Sequence, residues 1–107
     1  MQEQREVITL RDIVCRNLTT NEYEMVFASV LIDSAETAVS MYEERTDEEG
    51  KQVILNFMNE CLWWADIHLN NIYDEADRRE KRMKECLYES LSKIQAYVKS
   101  VTEKKAA

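Results

Sequence analysis

Proline does not occur in the 107 residues, and glycine occurs once, at Gly50. Tight turns between strands draw heavily on these two residues, so a chain without them has few ways to build a sheet. Glu, Lys, Arg, Ala, Leu and Met, which favour helices, are abundant instead. The expected fold class is all-α: a small antiparallel helical bundle of three long helices preceded by one short helix. The length fits one domain over 1–107, with 1–8 and 103–107 frayed. Such a chain buries roughly two-thirds of its unfolded surface, and a hydrophobic share of 45% is too high for disorder.

Helix starts are read from capping boxes, a Ser or Thr followed three residues on by Glu or Gln. Thr19–Glu22 is one, and Thr46–Glu49 is a second. Thr9–Asp12 is a weaker analogue, and Asp74–Asp77 places acids where a helix dipole favours them. The expected elements are a short helix near 10–17 and long ones near 20–45, 47–72 and 75–102. Asn70 to Glu75 only weaken a helix, so the last two could form one rod. A rod that long, roughly 80 Å, needs a partner chain, and a break is the preferred reading.

Helical wheels at about 100° per residue assign the faces. On the first long helix, Tyr23, Phe27, Val30, Leu31, Ala38, Met41 and Tyr42 share one side. Met25, Ala28, Ile32, Ala35 and Val39 widen it to more than half the circumference. This helix is expected to touch at least two neighbours, one of them closely through Ala28, Ser34, Ala35 and Ala38. On the next, Leu55, Met58, Leu62, Ala65, Leu69 and Ile72 step by threes and fours as a buried seam, widened by Ile54, Cys61 and His68. The last has a narrower stripe of Met83, Leu87, Leu91, Ile94, Val98 and Val101, with Cys86 and Tyr97 beside it.

Two adjacent tryptophans cannot share one buried face. The wheel puts Trp64 beside Phe57 at the edge of the apolar arc, largely inside. It puts Trp63 on the polar face, with Ile67 one turn on. Trp63 and Ile67 ringed by Asn59, Asp66 and Asn70 have the anatomy of an interface, an aromatic anchor inside a polar rim. Arg78, Lys81 and Arg82 form a secondary basic patch on the outer side of the last helix.

The formal charge of −7 divides unevenly, with 17 acids against 5 bases in residues 1–77 and 4 against 9 in 78–107. The acidic part disfavours general nucleic-acid binding. Glu80, Glu85 and Glu89 interrupt the basic stretch, which has no interleaved aromatic for base stacking. His68 is the single histidine. It lacks the Glu-x-x-His, His-x-x-x-His or cysteine pairs that build metal sites, and reads as a packed or hydrogen-bonded core residue. The acids of residues 43–50 with Asp74 and Asp77 fit a Mg²⁺ cluster poorly, because they straddle a turn. One glycine allows no phosphate loop, and the cysteines lack the electropositive setting of a catalytic thiol. No catalytic residue, cofactor or metal is expected.

Cys15, Cys61 and Cys86 are widely spaced and odd in number, which fits reduced thiols. No signal-peptide pattern opens the sequence and no apolar run reaches membrane-spanning length. The expected location is cytoplasmic, without a membrane partner. The functional expectation is a non-catalytic protein–protein interaction or regulatory module that self-associates as a homodimer. The rival readings are nucleic-acid-related binding, through the basic helix or acidic mimicry of phosphates, and a metal-dependent helical hydrolase.

Overall fold

A computed structural model describes residues 19–72 and 78–106. Three α-helices pack together: α1 (Thr20–Glu44), α2 (Glu48–Asn70) and α3 (Arg78–Ala106). The described residues contain no strand. The expected short helix near 10–17 and the cap at Asp74–Asp77 lie outside the described residues.

The capping box at α1 forms as expected. Glu22 N–H donates to Thr19 Oγ1 at 3.2 Å, and Thr19 N–H donates to Glu22 Oε1 at 3.3 Å. The α2 start differs from the expected one, since Asp47 rather than Thr46 is the cap. Its Oδ2 accepts from Gly50 N–H at 2.8 Å, and its Oδ1 accepts from Arg45 Nε at 2.6 Å. A carboxylate beats a hydroxyl here because it serves both donors at once. Gly50 leaves room for this: a Cβ there would collide with Arg45 Nε and lie 2.6 Å from Asp47 Oδ2.

The Arg45 guanidinium and the Gly50 N–H hold the Asp47 carboxyl below its ordinary pKa. A depressed folded-state value gives stability that is complete above the unfolded pKa and lost as pH falls through the folded one. Wild type should therefore melt above the Asp47→Asn variant at neutral pH, and the gap should close as the pH falls below about 4, the ordinary carboxyl range. Melting curves across that range check it, and a pH-independent gap would show that the charge contributes nothing.

The α2 seam is buried as expected: Leu55, Met58, Leu62, Ala65, Leu69 and Ile72, with Cys61 beside them. On α1 the buried set is Met25, Ala28, Ile32, Ala35, Ala38 and Tyr42. The alanines let α1 and α2 come close, and this is the more extensive of α1's two helix contacts. α3 closes the core with Leu91, Ile94 and Val98. α2 stops at Asn70, where Asn71 N–H bonds back to Ile67 and His68 carbonyls. α3 packs against both other helices, which rules out the single rod.

Three expectations about faces are corrected. Val30 and Met41 are exposed, because two neighbours cover less of α1 than its apolar arc offers. Met83 is exposed near the start of α3. Cys86 is exposed too, whereas Cys61 is buried. At the far end α3 continues to Ala106, and Lys105 Nζ donates to Gln52 Oε1 at 3.0 Å and lies 3.8 Å from Glu48.

Burial, helped by the neighbouring Glu60 charge, pushes the Cys61 thiol above its ordinary pKa. The thiolate is the reactive form. In the folded protein Cys86 should take up a maleimide well before Cys61, with site occupancy read by peptide mass spectrometry. Equal rates would mean that the α1–α2 interface opens freely.

Candidate interaction surface

The two tryptophans occupy opposite shoulders of the outer ridge of α2. Trp63 is 60% exposed, in agreement with its expected position, and Trp64 is 46% exposed, which corrects the expectation that it lies largely inside. The wheel placed Trp64 at the edge of the apolar arc, and the α1 contact stops short of that edge. The indoles meet edge to face, with centroids 4.9 Å apart and planes at 75°. Trp64 Nε1–H donates to Glu60 Oε2 at 3.3 Å.

Trp63, Asn59 and Asp66 lie on one side of α2. They border a cleft of about 430 Å³ against α3, faced by Val98, Lys99 and Thr102. Ile67 is half-buried and does not border this cleft, falling instead on the side of Trp64. Asn70 is engaged within the chain: Tyr88 OH from α3 donates to its Oδ1, and its own amide donates to Asp66 at 3.4 Å. Burial first, and the Asp66 charge second, push the Tyr88 phenol above its ordinary pKa. Arg78, Lys81 and Arg82 gather on one exposed face, with Glu85 among them.

Beyond these residues lies a surface that the sequence reading did not isolate. On α2, Val53, Phe57, Glu60, Trp64, Ile67 and Asn71 follow alternating steps of four and three, the spacing of a helix–helix seam. It faces away from the buried seam, and Val53, Phe57 and Trp64 are each about half exposed or more. On α1, Tyr23, Phe27, Val30, Ser34, Thr37 and Met41 repeat the same steps on the outer side. Each helix therefore carries two seams, and the fold uses one of them.

Aromatic contact links the first turns of α1 to the last turn of α2. Tyr23 lies against Phe27 with centroids 4.6 Å apart, and Phe27 lies 5.5 Å from the His68 ring on α2. His68 is held from behind by Glu24, whose Oε2 is 2.6 Å from His68 Nδ1. A carboxylate only accepts, so the Nδ1–H tautomer donates to it. Glu24 is a buried acid of α1, and its side chain and that of His68 are 12% and 20% exposed. Asp66, two residues from His68, is not its partner.

Among the described residues no group of three or more His, Cys, Asp or Glu is gathered to hold a metal ion. Among them, too, no helix is long and apolar enough to cross a membrane. No family model, curated protein or solved structure matches the chain.

Proposed function

We propose that the protein is a non-catalytic interaction module that works by helix docking on the outer face of α1 and α2, and that in the isolated protein a second copy of the chain occupies that face. The observation that carries this reading is the exposed row of Val53, Phe57 and Trp64 on α2, at helix–helix spacing. Amphipathic helices dock through anchors at i, i+3, i+4 and i+7, the spacing these residues present.

A second copy fits because a two-fold interface must be self-complementary. The one acid in the middle of the α2 seam, Glu60, already accepts the Trp64 indole hydrogen. The acidic bias of residues 1–77 and the basic bias of 78–107 also let two copies attract one another. The basic patch around Arg82 supports docking of nucleic acid less well, because Glu85 stands within it.

Sedimentation equilibrium tests the proposal. The weight-average mass should rise from one chain toward two as concentration goes from about 1 to 100 μM, the range of a micromolar dissociation constant. A single-chain mass throughout that range would overturn the self-association.

A further inference from the structure

The exposed row of α2 is close to a palindrome. With Glu60 as the origin, Val53, Phe57, Trp64 and Ile67 stand at −7, −3, +4 and +7. A two-fold interface uses the same patch on both copies, and one helix can meet its own copy in two ways. In a parallel pair each residue of the row meets itself, Glu60 included. In an antiparallel pair, the register that keeps apolar residues together sets Val53 on Ile67 of the second copy and Phe57 on its Trp64. The axis then falls at Glu60. Moving it by one turn sets Trp64 against Gly50, or Phe57 against Asn71.

We propose that the two Glu60 carboxylates face one another when two copies pair, and that pairing therefore takes up a proton and strengthens in acid. The proposal rests on the reading that a second copy occupies the outer face. Glu60 is exposed, and the Trp64 indole hydrogen holds its Oε2 on the row at 3.3 Å. That bond satisfies an oxygen without cancelling the charge.

Among the described residues of α1 and α2, no cation cancels it either. α1 contains no Lys or Arg, and its outer row from Tyr23 to Met41 is uncharged. α2 has one Lys, Lys51, whose Nζ lies 5.2 Å from the centroid of the Tyr42 ring. Lys51 is roughly 13 Å along the helix from Glu60. The His68 ring is engaged by Glu24. α3 brings Lys99 to the Trp63 flank, beside Asp66 and Glu103. Two carboxylates held together in a contact that excludes water repel, and one proton taken from solvent and shared between them relieves the repulsion. Val53, Phe57 and Trp64 offer roughly 300 Å² of apolar surface per copy. That area is at the small end for a lasting dimer, so one charge pair at its centre is enough to set the balance.

Sedimentation of the full chain tests the proposal. From about pH 7.5 to about pH 5.5 the wild-type dissociation constant should fall at least about threefold, against a ceiling of about tenfold per pH unit for one proton. Glu60→Gln removes the repulsion, so at about pH 7.5 it should pair about tenfold more tightly than wild type, and it should respond less to acid. Glu60→Lys keeps like charges together, and alone it should pair no better than wild type. An equimolar mixture of Glu60→Lys and wild type should be heavier, in weight average, than either chain alone at the same total concentration, because the mixed pair joins opposite charges. A mixture no heavier than its components overturns the proposal. So does a Glu60→Gln chain that pairs like wild type, or an acid response that Glu60→Gln shares in full, which would reflect overall charge. If these fail while Trp64→Ala still weakens pairing, the outer face stands and only the meeting of the two Glu60 side chains is lost. If no chain pairs, Glu60→Gln included, the second copy is overturned and this proposal with it.

Discussion

Replacing His68 by alanine will destabilise the protein by about 2–4 kcal/mol, more than its modest size suggests. Truncation removes the ring against Phe27, but the larger loss is electrostatic. Glu24 would keep a mostly buried carboxylate without the imidazole that binds it. Breaking a buried pair from one side costs about 3–5 kcal/mol, and the residual exposure of both side chains lowers that figure here. Replacing both residues by leucine should recover most of the loss, because no uncompensated charge remains. Denaturant titration of the two variants measures the difference. A His68→Ala cost below about 1 kcal/mol would show that water reaches Glu24 freely.

In the proposed pairing of two copies, Trp64→Ala should weaken association by about thirtyfold or more, the equivalent of about 2 kcal/mol and the threshold of a hot spot. Its effect on the single chain will be smaller. A core tryptophan truncation costs about 3–5 kcal/mol, and Trp64 is only about half covered. Trp63→Ala, on the α3 side of the ridge, should change the association constant by less than about fivefold, as should Asn59→Ala and Asp66→Ala on the rim. Sedimentation of these variants beside wild type separates the two shoulders of α2. An unchanged Trp64→Ala complex, with Trp63→Ala impaired, would move the interface to the cleft lined by Asn59 and Asp66.

The difference between the two tryptophans marks how far periodicity reaches. The α2 seam from Leu55 to Ile72 was legible because six apolar residues repeat at one phase and nothing competes with them. Trp63 was legible because it stands among amides and acids. Trp64 was not, since a wheel shows the direction of a side chain but not how far a neighbouring helix extends over it. The α1 arc misled for the same reason. Val30 and Met41 are apolar like Met25 and Ile32, and only the position of α3 separates exposed from buried.

The Glu24–His68 pair was beyond a reading by period, since 44 residues separate the partners. A signal was present nonetheless. Glu24 sits between Tyr23 and Met25, an acid inside an apolar arc, and His68 lies on the inner side of α2. Both stand near the same end of an antiparallel pair. A lone acid and a lone imidazole facing inward at matching depth are candidates to satisfy one another.

The bond from Lys105 to Gln52 fixes where anything attached behind α3 will emerge. That point lies beside the turn joining α1 to α2, at the end of the molecule away from Thr19. A fluorophore or surface tether placed there stands roughly 40 Å from Arg79 in the first turn of α3, by the rise of a helix of this length. Immobilised through that end, the molecule presents the first turns of α1 and α3 outward and leaves the flank bearing Trp64 open to titration on an oriented chip.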